Sequence, residues 1–197
     1  VGGPRADAAL EAVSGQTATT KAMGEGSTQS QHLVQTEVPP KLLAGWLADW
    51  ARHHGVDGSL RVTLRPHSAG SELLELAVLN GGGEKVANVI FGTIQDRRGR
   101  TILSVRDQNT FDENLRRKRL MTLVHVFLIH RYKAAAIHYL TPTEDNHRAA
   151  ESMKNRGIFK NTYDEVGEII VADVDAATIG AMVKNDSPER TALITTG

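Results

Sequence analysis

Cysteine is absent from the 197-residue sequence, which excludes disulfide bonds and thiolate metal sites. Basic and acidic side chains number 23 each, so no general attraction to nucleic acid or to a membrane surface is expected. The longest apolar run, within residues 122–129, is far too short to cross a bilayer, and the sequence does not begin with a secretion signal. These absences predict a soluble protein of the reducing cytoplasm.

Large apolar side chains are scarce in residues 1–37, which are rich in Gly, Ser, Thr and Gln. Such a segment cannot bury enough apolar surface to offset the entropy that is lost when it becomes ordered. We therefore expect residues 1–37 to have no fold of their own and to pack only against a partner. Because the sequence begins at Val1 and not at Met, we also expect it to belong to a longer polypeptide.

Regular spacing of apolar residues begins after Pro39. Leu42 to Trp50 show the spacing of a helix, which Gly55 would end. Alternating patterns predict four strands, and the tight turn Asn80–Gly83 predicts a hairpin between the second and the third. The predicted strands cover residues 60–65, 73–79, 86–94 and 101–105.

The second half of the sequence predicts alternating helices and strands. Residues 115–131 are apolar nearly all round, which is typical of a buried helix. A strand (135–140), a helix (145–155), a strand (168–174) and a helix (176–183) follow. The polar end predicts a mobile tail, 185–197. This order indicates one α+β domain, residues 38–184, with a mixed sheet flanked by helices.

A short motif follows the strand predicted at 135–140: Asn146-His-Arg-Ala149, then Met153, then Gly157-Ile-Phe159. It resembles the Asn-x-x-Ala … Gly-Phe element of the GNAT superfamily of N-acetyltransferases, and the resemblance extends over residues 40–175. It implies a GNAT-like fold that binds acetyl-CoA, with the pantetheine arm on Asn146. It also implies that the pantetheine runs along Leu103, Ser104 and Val105.

Two departures from that family concern catalysis and phosphate binding. The family usually carries Arg/Gln-x-x-Gly-x-Gly/Ala where the buried helix begins, whereas the stretch from Arg116 to Met121 contains no glycine. The position of the family's general-acid Tyr is Met153, and a thioether cannot protonate a leaving thiolate. The departures imply a domain that binds acyl-CoA without transferring the acyl group.

Four consecutive cations stand where the family binds pyrophosphate: Arg116, Arg117, Lys118 and Arg119. At a helix amino end each cation is disfavoured by about 0.3–1 kcal/mol, and a bound phosphate would turn that penalty into attraction. The alternative is a solvated turn paired with nearby carboxylates. Given the fold resemblance, a phosphate site is favoured. Similarly, Asn146 could cap its helix, contact the ligand, or do both.

Longer segments at both ends of the chain carry a second resemblance. Residues 17–24 and 26–32 resemble the Ser/Thr-rich lid of isocitrate lyases, which packs over an active site of the tetramer. Residues 137–146, 153–159 and 165–174 resemble the extension that follows the catalytic barrel in long forms. The resemblance implies a homo-oligomer whose barrel, with its nucleophilic loop and Mg²⁺ ligands, lies elsewhere in the same polypeptide. This chain alone would then cleave no isocitrate.

Three functions are compatible with these features. The first, which we favour, is a regulatory domain that binds acetyl-CoA or a related acyl-CoA and modulates isocitrate cleavage in the glyoxylate shunt. That shunt is needed when carbon arrives as acetyl-CoA, so sensing this compound would match enzyme activity to supply. The second is an active N-acetyltransferase, and the third is a dimerisation module. No metal site is expected, because the eight histidines show no metal-ligand spacing.

Overall fold

The computed structural model describes residues 41–56 and 58–196, so the predictions for residues 1–37 lie outside the described residues. Seven strands form one sheet in this part of the chain. The strands are β1 (Arg61–Pro66), β2 (Leu74–Leu79), β3 (Lys85–Gln95), β4 (Thr101–Thr110), β5 (Ala136–Leu140), β6 (Phe159–Glu165) and β7 (Ile169–Val174). The helices are α1 (Lys41–His53), α2 (Leu120–Tyr132), α3 (Glu144–Asn155), α4 (Ala176–Val183) and α5 (Pro188–Thr195), with a short 3₁₀ helix, Glu113–Leu115, before α2.

The strand order in the sheet is β1-β2-β3-β4-β5-β7-β6. Neighbouring strands are antiparallel except β4 and β5, which run parallel and are connected through α2. A parallel pair needs such a crossover, because a tight turn can join only antiparallel strands. The mixed sheet with flanking helices confirms the predicted α+β fold class.

One face of the sheet carries the main core. Phe91 pairs with Val105, Val105 pairs with Tyr139, and Tyr139 pairs with Ile170. Residues directly opposite each other on neighbouring strands point to the same face, so these side chains form one apolar surface. Helix α2 contacts β4 and the other helices of the core, α1, α4 and α5. All of its residues from Leu120 to Ile129 are buried except Met121, as predicted for a helix that is apolar all round.

The start of α2 differs from the prediction. The helix begins at Leu120 and not at Leu115, because the 3₁₀ turn capped by Asp112 ends at Leu115 and Arg116 is extended. Residues 116–119 therefore precede the helix, and do not form its first turn. Apolar spacing could not show this, since Leu115 is buried like the helix residues and continues their pattern.

The sequence patterns also failed to predict one strand and one helix, both of them largely polar. Strand β6 is an edge strand that is exposed along most of its length, so it lacks the run of apolar residues that β7 has. The predicted mobile tail from Asn185 is wrong for the residues of α5, where Leu193 and Ile194 are buried. The signal for this helix was Ser187, whose side chain caps it, followed by Pro188 in its first turn.

Candidate ligand-binding cleft

Strands β4 and β5 separate after four paired residues. The parallel ladder runs from Ile102 with Ala136 to Val105 with Tyr139. Beyond it, β5 ends at Leu140, whereas β4 continues to Thr110 along β3. The second half of β4 is thus paired on one side only, and a V-shaped opening lies between it and the residues that follow β5. In open α/β sheets, ligands commonly bind at such carboxyl ends of parallel strands.

A β-bulge contributes to this separation. Phe91 pairs with Val105 and Ile90 pairs with Asp107, so Arg106 is an extra residue without a partner on β3. A bulge bends the strand that contains it, and bulges are frequent beside functional sites. Here the bend falls at the residue where β4 leaves β5.

The opening is a cleft of about 440 Å³. Its walls come from three places: the end of β4, the end of β5 with the turn that follows, and the first turn of α3. The lining residues are Val105, Arg106, Asp107, Gln108, Asn109, Tyr139, Leu140, Thr141, Thr143, Asp145 and Asn146. Charged side chains of both signs and several amides thus surround a floor made by the apolar pair Val105 and Tyr139.

Of the predicted pantetheine residues, only Val105 borders the cleft. Leu103 and Ser104 lie deeper, where β4 is paired with β3 and with β5 at once. Both are buried. The structure therefore places the open stretch of β4 at residues 105–109, displaced from the predicted stretch towards the carboxyl end of the strand. The other residues that line the cleft could not be predicted from the sequence, because they have no regular apolar spacing.

Asn146 lines the cleft and also stabilises α3. Thr143 is the N-cap: its hydroxyl accepts a hydrogen bond from the Asn146 backbone N–H, at 3.3 Å. In return, Asn146 Oδ1 accepts hydrogen bonds from the backbone N–H and the hydroxyl of Thr143, each at 2.8 Å. This capping box fixes the orientation of the amide. Within the described residues Nδ2 of Asn146 has no partner, so it is the group left for a ligand.

The basic run contains left-handed backbone at two of its four residues. In the register of the GNAT pattern, Arg119 stands at the first glycine, and its φ is +61°. Arg117 also has a φ of +61°. Left-handed backbone costs an L-residue roughly 1–2 kcal/mol, which glycine avoids. Non-glycine residues held in this region often mark functional sites.

The amino end of α2 presents unsatisfied donors next to this run. Arg119 occupies the N-cap position and makes no side-chain capping hydrogen bond. The first N–H groups of a helix lack partners within the helix, and together with the helix dipole they favour an anion. The run also lies beside the cleft, because Arg116 Nε donates a hydrogen bond of 3.0 Å to the carbonyl oxygen of Thr110, the last residue of β4.

A larger and more open groove of about 1070 Å³ lies between α3, α4 and α5. Arg119 borders it and so connects the basic run to this surface. Other charged side chains on its walls are Arg148, Glu151, Arg156 and Glu189. The smaller cleft is the better candidate for the inner end of a ligand, because it contains the strand separation and Asn146.

Tyr139, at the floor of the cleft, is 1% exposed, and its buried hydroxyl has no hydrogen-bond partner among the described residues. Its ring lies 5.8 Å from the ring of His125, centroid to centroid. Burial raises the pKa of Tyr139, and burial lowers the pKa of His125 to about 4, partly opposed by its hydrogen bond to Met121. Both side chains are therefore neutral at pH 7.

Metal binding and membrane insertion find no support in the described part of the chain. Within residues 41–56 and 58–196, no group of three or more His, Asp or Glu side chains is placed to hold a metal ion. The Mg²⁺ that the lyase resemblance implies therefore does not fit these residues. No helix among them is long and apolar enough to span a bilayer.

Comparison with known proteins gives close relatives. The chain is 61% identical over 193 residues to an isocitrate lyase component from Mycobacterium tuberculosis, an alignment that covers 98% of the chain and 48% of that protein. The chain is homologous to part of isocitrate lyase. It is also 61% identical to isocitrate lyase 2 of Mycobacterium bovis, over 25% of that protein's length. The chain therefore spans between a quarter and a half of the length of these relatives. The predicted resemblance to long-form isocitrate lyases is confirmed.

Other comparisons give weaker results. No family model matches the sequence. Among solved structures, the chain is similar to a GNAT-family acetyltransferase from Staphylococcus aureus, with a TM-score of 0.39 and 9% identity over 68% of this chain and 92% of that one. A protein of unknown function from Aquifex aeolicus is similar with a TM-score of 0.35 and 12% identity, over 60% of this chain and 70% of that one.

Proposed function

We propose that this chain is a regulatory region of an isocitrate lyase, which binds acetyl-CoA or a related acyl-CoA and modulates isocitrate cleavage by the lyase barrel of the same polypeptide. The lyase relatives support the parent activity. The ligand is inferred from the cleft and from the basic run beside it. In this proposal the parent is a homo-oligomer, and its Mg²⁺ is bound by the barrel.

The single observation that carries the ligand is the left-handed backbone at Arg119. Left-handed backbone can turn consecutive N–H groups towards one anion. Here a charged residue adopts it beside a helix end without a side-chain cap, and the penalty is compensated if phosphate binds there. Arg116, Arg117, Lys118 and Arg119 would then hold the pyrophosphate. Val105 and Asn146 would border the pantetheine, with Leu103 and Ser104 supporting the floor from within the sheet.

The proposal assigns no acyl transfer to the chain. Met153 stands at the family's general-acid position, and a thioether has no proton to give. This side chain is also buried in the core and does not line the cleft. A general acid must lie within hydrogen-bond reach of the leaving group. The alternative of a purely structural dimerisation module gives no reason for four cations beside an uncapped helix end.

Binding is tested by calorimetry on the 197-residue chain. We expect acetyl-CoA to bind, and binding to weaken when Arg116 and Arg119 are both replaced by Ala. Added salt should weaken it as well, since exposed charges are screened. Absence of heat at millimolar acetyl-CoA, with no displacement of a fluorescent CoA, would refute the ligand assignment.

Regulation is tested in the full-length parent enzyme. Acetyl-CoA can shift an equilibrium only if it binds one arrangement of the domains more tightly than another. Typical coupling free energies of about 1–3 kcal/mol correspond to a 5- to 150-fold change. We expect acetyl-CoA to change the rate of isocitrate cleavage, and a parent truncated before residue 38 of this chain to retain cleavage without the response. An equal response in the truncated enzyme would place the sensor elsewhere. CoA release that depends on a specific amine would instead favour the acetyltransferase alternative.

A further inference from the structure

The turn between β6 and β7 holds an apolar side chain in solvent. Val166 is 96% exposed, more than any other large apolar residue that the structure describes. The backbone N–H of Glu168 donates a hydrogen bond of 3.1 Å to the carbonyl oxygen of Glu165, which closes a four-residue turn with Val166 and Gly167 at its centre. The valine side chain therefore contributes nothing to the core.

The backbone at this turn does not suit a valine. Val166 has a φ of +54° and Gly167 a φ of +73°. Positive φ at both central residues is the pattern of a type I′ turn, whose positions are normally Gly, Asn or Asp because these residues adopt left-handed backbone most easily. A β-branched residue in this conformation is an outlier, and such strain is concentrated at functional sites. Neither packing nor turn geometry explains the valine, so we look for a contact outside the domain.

The surroundings of Val166 are acidic. Asp164, Glu165 and Glu168 are all exposed. Asp164 lies 3.8 Å from His147, and within the described residues neither glutamate has an ion-pair partner. An apolar side chain with an acidic rim fits a protein surface that has an apolar pocket and basic residues around it. The same carboxylates would be repelled by nucleic acid and by anionic lipid.

A hydrogen bond connects this turn to the cleft. Thr141 lines the cleft, and its backbone N–H donates a hydrogen bond of 2.8 Å to the carbonyl oxygen of Glu168. Thr141 has a φ of +46°, so it and Val166 are the two β-branched residues with positive φ among those described. A ligand that changes the backbone at Thr141 therefore acts on the turn through one bond.

We propose that the β6–β7 turn, residues 165–168, is the surface through which this region contacts the lyase barrel of the same polypeptide, with Val166 inserted into an apolar pocket of the barrel. This inference rests on the proposed function and names the contact by which the ligand signal leaves the domain.

The small size of the turn favours a tethered partner over a separate one. One apolar side chain and three carboxylates form a surface far below the roughly 800 Å² per partner that a stable complex buries. Such a contact suffices when a linker holds the two surfaces at high effective concentration. The chain covers 25% of isocitrate lyase 2 of Mycobacterium bovis, so three quarters of a polypeptide of that kind would be tethered to it.

The contact is tested by photochemical cross-linking in the full-length parent enzyme carrying Val166→p-benzoylphenylalanine. We expect mass spectrometry to find cross-links to the barrel, in a yield that changes when acetyl-CoA is added. The control is Ile94→p-benzoylphenylalanine, because Ile94 is also exposed but lies level with Ala136 at the start of β5, at the opposite end of the sheet. It should give no such cross-link. Cross-links from residue 166 to residues 38–197 of another subunit would make a second copy the partner and overturn the inference.

Replacement of Val166 by Asn separates the contact from the domain's own stability. In the 197-residue chain, Val166→Asn should unfold about 2–4 °C higher, because Asn relieves the strained turn, and should bind acetyl-CoA as before. In the parent enzyme it should keep basal isocitrate cleavage and reduce the response to acetyl-CoA at least about fivefold. Val166→Ile keeps the apolar side chain and should keep the response.

The outcomes distinguish the two proposals. A lower unfolding temperature for Val166→Asn would show that the valine supports the domain itself, and a full response in that variant would show that the signal leaves elsewhere. Either result, or the absence of barrel cross-links from residue 166, overturns this inference and leaves the proposed function standing. An unmodified parent enzyme that does not respond to acetyl-CoA overturns the proposed function, and this inference with it.

Discussion

The indole Nε1–H of Trp50 donates a hydrogen bond of 2.9 Å to the backbone carbonyl oxygen of Lys118, 68 positions further along the chain. This bond ties helix α1 to the basic run at the amino end of α2. Both tryptophans of α1 are fully buried, yet the Nε1–H of Trp46 has no partner among the described residues. The two side chains therefore offer a matched comparison.

Replacement of Trp50 by Phe should destabilise the protein more than replacement of Trp46 by Phe. Both changes remove similar apolar area, but only the first leaves the part-buried carbonyl oxygen of Lys118 without its donor, at a cost of about 0.5–1.5 kcal/mol. Urea unfolding of the two variants measures the difference. Equal losses of unfolding free energy would mean that the tie to Lys118 contributes nothing. Trp50→Phe should also weaken acetyl-CoA binding, because the run is then held less firmly.

Replacement of Arg119 by Gly should give a more stable protein than replacement by Ala. Both variants lose the cation, but Gly adopts the φ of +61° freely whereas Ala remains strained. The expected difference in unfolding free energy is about 1–2 kcal/mol. Both variants should bind acetyl-CoA more weakly and with less dependence on salt, whereas Arg119→Lys should keep the salt dependence. If the Ala variant were as stable as the Gly variant, the left-handed backbone at Arg119 would not be a source of strain.

Replacement of Asn146 by Asp should separate its two roles. The carboxylate can still accept from the Thr143 backbone N–H, and a negative charge is favourable in the first turn of a helix. The Nδ2 donor is lost. We expect an unchanged or raised unfolding temperature together with weaker acetyl-CoA binding, by differential scanning fluorimetry and calorimetry. Full affinity in the Asp variant would restrict Asn146 to capping.

Stability should fall in mild acid because of His125. Burial lowers its folded pKa to about 4, below the unfolded value of about 6.5, so the unfolded state binds the proton more readily. The contribution to stability is complete above pH 6.5 and is lost as the pH falls from 6.5 towards 4. A difference of about 2.5 pKa units corresponds to about 3 kcal/mol.

Urea unfolding at pH 4.5, 5.5, 6.5 and 7.5 measures this effect. His125→Gln should flatten the profile below pH 6.5. His130→Gln, an exposed position on the same helix, should leave it unchanged. A parallel fall in all three proteins would assign the acid sensitivity to other groups.

The core elements could be predicted from the sequence because their patterns report burial directly. Helix α2 and strand β5 have almost uninterrupted apolar runs, and Gly157, which follows α3, has the positive φ expected of a helix stop. The second half of β4 and all of β6 could not be predicted, since exposed edges and cleft walls carry no alternation. Their pairing comes from neighbouring strands, and a single sequence does not show those neighbours.

The site was predicted in outline only. Asn146 and the basic run were predicted through family resemblance. In the structure Asn146 lines the cleft, and Arg116 hydrogen-bonds Thr110 at the end of β4. From the sequence, Tyr139 could equally line a groove or pack in the core, because apolar spacing does not reveal that a hydroxyl lacks a partner. Nor does it reveal a strand separation, which arises because β4 continues to Thr110 after its last pairing with β5.

The bulge at Arg106 has a consequence for how such a domain can change over time. Val105 and Asp107 already face opposite sides of the sheet, so loss of the single codon for residue 106 would leave every other side chain of β4 on its present face. The strand would straighten and lie closer to the end of β5. One deletion would therefore narrow the cleft while the core residues keep their places, which makes the opening far easier to lose than the fold.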